Sequence, residues 1–150
     1  MLERADLEVS LRAERDRWFS LAFTEAGRKH RDRCYSTSAL LYEIDIRLAF
    51  CAGAWLSVIV LAAAAIEAQF RHVYTEDYDS KAIVLYGEND ELRWLRELRN
   101  AILHVSKPGT KSSLWKHAPN DLQACQNALE PEAKRAVSIM FRTIYVSGAT

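Results

Sequence analysis

The sequence predicts an all-α protein, a four- to five-helix bundle, and three observations carry that expectation. Glycine and proline number only 5 and 3, too few for a turn-rich β class or a collagen-like one. Hydrophobic residues reach 49% against 27% charged, enough to build a core and too apolar for disorder. Along most of the chain, apolar residues recur at helical rather than alternating spacing. With 150 residues, one domain covering 1–150 is expected, since a chain of this size buries roughly two-thirds of its unfolded surface.

From about Asp6 to Arg33, Leu7, Leu11, Trp18, Leu21 and Ala22 follow near-helical spacing. The basic run Arg28-Lys29-His30-Arg31 suits the negative end of that helix. Ser36-Thr37-Ser38 then offers N-cap side chains, and residues Ala39 through Tyr74 read as one long helix, with Gly53 as the place for a kink. Thr75 to Ser80 is a polar break. Residues 82–86 are apolar but too short for helix and strand to be told apart. Gly87 to Asp90 supplies a stop and a cap, Glu91 to Val105 is strongly helical, and Pro108-Gly109 ends that helix. Residues 107–119 read as a loop, 121–129 as a short helix, and Pro131 as the first residue of a last helix to about Val146.

Twenty basic and twenty acidic residues cancel, so net charge supplies no general pull towards nucleic acid or an anionic membrane. Cys34, Cys51 and Cys125 are odd in number and in no paired spacing, which argues against a disulfide framework and against a zinc site. His30, His72 and His117 each lie in charged or loop surroundings, and neither a metal nor a cofactor is expected. The start of the chain alternates charge where a signal peptide needs an apolar run, and a cytoplasmic location is the expectation. Leu48 to Ile66 is nineteen residues without a charge, close to the roughly 20 that span a bilayer. Gly53 and Ser57 interrupt it and charges flank it, which favours a central packed helix over a membrane span.

The Glu91–Val105 helix carries the informative chemistry. At about 100° per residue, Leu92, Trp94, Leu95, Leu98, Ile102, Leu103 and Val105 fill one continuous arc. Arg99 falls inside that arc, between Leu95 and the Leu92/Leu103 edge. A guanidinium aimed at a core must be paired, and Glu67, the first carboxylate after the apolar run, is the expected partner. Asn100 and His104 are four apart and share the opposite, polar face with Arg93 and Glu97.

The stretch Leu95-Arg96-Glu97-Leu98-Arg99-Asn100-Ala101-Ile102-Leu103-His104 resembles the signature helix of HEPN domains (higher eukaryotes and prokaryotes nucleotide-binding), an arginine followed by a polar residue and then a histidine after a short spacer, here four residues. The order of elements is also similar: a helix, a long alanine-rich helix ending in a carboxylate, the signature helix, a loop and a final helix. Specific identity rests on these ten residues; the rest of the resemblance is architectural. Many HEPN proteins are metal-independent endoribonucleases of toxin–antitoxin or defence systems, acting as dimers with paired signature helices. The resemblance therefore implies a homodimer, an RNA substrate, an antitoxin protein as a partner, His104 as acid/base group, Arg99 as phosphate ligand and Asn100 as a positioning hydrogen-bonder. Ser106 stands where one subgroup carries a tyrosine that its antitoxin modifies, so that modification is not expected here. Family members without catalysis leave a nucleotide-binding or scaffolding dimer as the alternative, with a membrane-associated helical protein as a second.

These residue types suit metal-free RNA cleavage, which needs a base for the 2′-hydroxyl, an acid for the leaving oxygen and a cation for the phosphorane. Arg99 and His104 lie about 140° apart around the helix and about 7.5 Å along it, so two crossing helices would bring both pairs together more readily than one. Lys107 and Lys111, in the following loop, are placed to meet a phosphate backbone, and Trp115 either to stack a base or to fold back on the core.

Overall fold

The computed structural model describes residues 2–28, 36–104 and 122–146. Among them the backbone forms helices and no strand: α1 (Leu2–Arg28), α2 (Thr37–Ala52), α3 (Trp55–Val73), α4 (Tyr78–Glu88), α5 (Asp90–Leu103), α6 (Leu122–Ala128) and α7 (Glu130–Val146). The undecided 82–86 segment is thus helical, inside α4, and Pro131 falls in the first turn of α7, where its missing N–H costs nothing.

The all-α expectation holds, but the long helix does not. Residues 39–74 form two helices, because Gly53 adopts a left-handed conformation with φ 74° and ψ 23°. Its N–H donates to the Phe50 carbonyl at 3.0 Å, and the Ala54 N–H donates to the Ala49 carbonyl at 2.9 Å. This pair of bonds satisfies the last carbonyls of α2 in a Schellman closure. The chain then reverses, so that α3 packs along α2, with the Phe50 and Trp55 rings meeting edge-on at 5.2 Å. The nineteen-residue uncharged run is therefore divided between two elements.

Helix α3 is the centre of the structure, with α2, α4, α5, α6 and α7 all packed on it. Trp55, Ile59, Ile66 and Phe70 are buried along it, and Phe19 of α1, Phe50 of α2, and Phe141 and Tyr145 of α7 complete the aromatic core. By length and composition α3 would also cross a membrane, and 44% of that apolar window is buried within the fold. The start of α2 is tied to α3: the Ser36 hydroxyl accepts from the Ala39 N–H at 3.0 Å, while the Ser36 N–H donates to Gln69 Oε1 at 3.0 Å. Both groups are buried, so the cap and the cross-helix bond remove polar atoms that would otherwise be costly to bury.

The packed face of α1 differs from the one its leucines suggest. Phe19 is buried and Trp18 and Ala22 pack against the core, whereas Leu7 and Leu21 are 59% and 70% exposed. Length explains Leu7: 27 residues extend for about 40 Å, and the 17 residues of α7 for about 25 Å; Leu21, two residues past buried Phe19, lies on the opposite side of the helix from it. Helix α1 packs on α2 and α7, and residues 3–14 are exposed throughout.

Candidate functional site

Helix α5 is set by its ends and its apolar face. Asn89 Oδ1 accepts from the Glu91 N–H at 3.0 Å and the Leu92 N–H at 3.1 Å, capping orphan donors of the first turn. Asp90 and Glu91 add acids at the positive end of the helix dipole, and Glu91 bonds Arg142 of α7 at 2.8 Å. Leu92 and Leu95 are buried, and Trp94, Leu98 and Ile102 pack against the core. The predicted apolar arc is therefore the packed face up to Ile102. Leu103, at the last turn, is 49% exposed, because it lies beyond the shelter of the elements packed on α5, and Val105 lies outside the described residues.

Arg99 is partly buried and lines a cavity of about 380 Å³ walled by α3, α4 and α5. Glu67, Arg71, Tyr78, Tyr86 and Arg96 line the same cavity. Arg99 and Glu67 thus share one cavity, but the ion pair of Glu67 is with Arg71, one turn along α3, at 2.9 Å. Among the described residues, no carboxylate lies within 4.0 Å of the Arg99 guanidinium. Arg71 also lies over the Tyr78 ring at 4.0 Å, and Arg96 over the Tyr86 ring at 4.8 Å. Burial, reinforced by Tyr78 and Glu67, pushes the Tyr86 hydroxyl up to about 12. The Tyr78 hydroxyl is also raised, by burial and then by the negative Glu67 beside it.

His104 ends α5. Its N–H donates to the Asn100 carbonyl at 2.9 Å, its backbone turns extended at φ −106° and ψ 121°, and its side chain is exposed. Asn100 is partly buried, and neither residue lines the cavity. The helix therefore separates the three polar groups, with Arg99 on the α3/α4 side and His104 at the free end. Lys107, Lys111, Trp115 and Ser106, like His30, His117 and Cys34, lie outside the described residues. Among the described residues, no group of three His, Cys, Asp or Glu side chains is close enough to hold a metal ion, and Cys51 and Cys125 are free thiols.

Arg71, Arg96, Tyr78 and Tyr86 did not stand out in the sequence. The available signals were weak: a Glu67/Arg71 pair four apart, Arg96 and Arg99 three apart on one helix, Tyr78 in the polar break and Tyr86 in the segment whose helical identity was open. No family model, curated protein or solved structure matches this chain.

Proposed function

We propose that this chain is a metal-independent endoribonuclease of toxin–antitoxin or defence type, HEPN-like in its helical frame, cytoplasmic, and active as a homodimer in which two copies of α5 meet. The observation that carries the reading is Arg99, a partly buried guanidinium without a carboxylate partner among the described residues, on the helix that ends in exposed His104. A partly buried arginine that no described carboxylate approaches within 4.0 Å is poised for an external anion. His104 takes and returns the proton of the 2′-hydroxyl and leaving 5′-oxygen, an imidazole having one ring nitrogen to accept and one to donate. Arg99 binds the phosphate as charge develops on it, Asn100 orients it, and Lys107 and Lys111 hold the flanking backbone.

The test is cleavage of bulk RNA in EDTA by the wild-type protein and by His104→Ala, with growth arrest on expression as a parallel readout. Wild-type cleavage should fall by at least 100-fold in the variant, the lower end of what a general acid–base group contributes; unchanged cleavage overturns the assignment. A monomer by light scattering at micromolar concentration also counts against it. A non-catalytic HEPN-like nucleotide-binding or scaffolding dimer is favoured by one observation, the cationic cavity that contains neither His104 nor Asn100. That reading expects no cleavage by either protein.

A further inference from the structure

The three guanidiniums in the α3/α4/α5 cavity are not equally committed. Arg71 is neutralised by Glu67 at 2.9 Å and stacked on Tyr78. Arg96 contacts the face of Tyr86, and among the described residues neither Arg96 nor Arg99 has an ion-pair partner within 4.0 Å. The charged lining comprises Arg71, Arg96 and Arg99 against Glu67 and Asp79, so three positive charges less two negative leave an excess of one. Two guanidinium forks, each with five N–H donors and no acceptor, therefore line a space in which no described carboxylate is paired with either. Much of the remaining wall is apolar, formed by Ala63, Ile66, Leu92 and Leu95 with the two tyrosines. A cavity of about 380 Å³ lies within the range of small-molecule sites, which combine apolar walls with a few convergent polar groups.

We infer that this cavity binds a small organic phosphate monoester, its phosphate held between Arg96 and Arg99 and its planar or apolar body laid along Ala63 and Ile66 beside Tyr78 and Tyr86. A monoester carries close to two negative charges at neutral pH and three acceptor oxygens, which matches two uncommitted, fork-shaped cations better than a single carboxylate does. The apolar wall gives the ester an advantage that inorganic phosphate lacks. The inference rests on the cavity that favours the second reading above and deepens it by naming the ligand class; it shares Arg99 with the ribonuclease reading but uses neither His104 nor Asn100, and it is read by binding rather than by cleavage.

The experiment is calorimetric titration of the purified protein with phenyl phosphate, adenosine 5′-monophosphate, inorganic phosphate and phenol, with a thermal melt of every variant. At least one of the two esters should bind saturably, at least tenfold tighter than inorganic phosphate, and phenol should not bind. Arg96→Gln and Arg99→Gln should each weaken the ester by roughly tenfold or more, the loss expected for a charge-assisted hydrogen bond. Arg96 is exposed, so its variant keeps the test decisive if Arg99→Gln fails to fold. Glu67→Gln should act in the opposite direction, tightening binding several-fold by freeing Arg71, an effect that general destabilisation would not produce. Absence of binding by both esters up to millimolar concentration, or affinity unchanged in both arginine variants, overturns the inference, whatever the outcome of the RNA cleavage assay.

Discussion

Replacing Gly53 by alanine tests the reversal that turns the apolar run into two helices. At φ 74° an alanine Cβ approaches its own carbonyl, which costs roughly 1–2 kcal/mol for an L-residue. The narrower unfolded ensemble of alanine returns about 0.4–1 kcal/mol of that. A second cost is steric: a Cβ here would lie 2.9 Å from Arg15 Nη1 and 3.1 Å from Arg15 Cζ. The guanidinium is held where it is, donating to the Cys51 carbonyl at 3.3 Å and lying 4.9 Å from the Trp55 ring centroid. Moving it forfeits contacts worth about 0.5–1 kcal/mol each. The expected net loss is about 2 kcal/mol, which for a chain of this size lowers Tm by roughly 4–8 °C. Thermal melts followed by circular dichroism measure it, and Gly53→Ala in an Arg15→Ala background separates the two costs. There the steric part is gone, and the double variant should be less destabilised than the sum of the singles by about 1 kcal/mol. A Gly53→Ala protein as stable as wild type, or strict additivity with Arg15→Ala, would refute the account.

Two further outcomes follow from the site. The Tyr86 hydroxyl ionises near 12 in the fold and at its ordinary value of 10 when unfolded, so its neutral form contributes stability in full below pH 10, and that contribution disappears as pH rises through about 12. After allowance for solvent at the partly exposed ring the loss is roughly 1–2 kcal/mol; denaturant unfolding from pH 9 to 12 should show it in wild type and not in Tyr86→Phe, and parallel curves would remove the cause assigned here. If the proposed cleft takes Arg99 from one subunit and His104 from the other, mixing Arg99→Ala with His104→Ala protomers restores about a quarter of wild-type cleavage, because half the dimers are mixed and each holds one intact site. Two inactive proteins that stay inactive when mixed exclude such a shared site.

How far the sequence was legible depended on the range of the interactions involved. The caps at Ser36 and Asn89 are bonds within three residues, so side-chain identity alone announced them. The apolar arc of α5 was legible because its members from Leu92 to Leu103 lie on one helix, and it held up to Ile102. Gly53 marked a kink, but a full reversal depends on partners distant in sequence: Arg15 from α1, and Gln126 of α6, whose Nε2 donates to the Gly53 carbonyl at 3.1 Å. The face α1 buries was equally out of reach, since nothing in residues 3–14 states that α2 and α7 end before they do. The five apolar residues of 82–86 are too few to separate a helical period from an alternating one.

The cavity was illegible for a different reason. Its cations sit on α3 and α5, twenty-five or more positions apart, and its tyrosines sit on α4 between them, so no single helical projection contains it. Projection of α5 alone assigned Arg99 to the core side and sought the nearest carboxylate, Glu67. It had no means of weighing Arg71, which reaches Glu67 from the same helix at i+4, a spacing that needs no tertiary structure. That local competitor leaves Arg99 with no ion pair among the described residues, and gives the cavity its surplus charge. Arg99 then has two claims on it, an ester inside the cavity and an RNA phosphate shared with His104 across a dimer. Separate assays divide them: loss of ester binding in Arg96→Gln with RNA cleavage retained places the two anions at different sites, whereas parallel loss of both makes the cavity part of the RNA site.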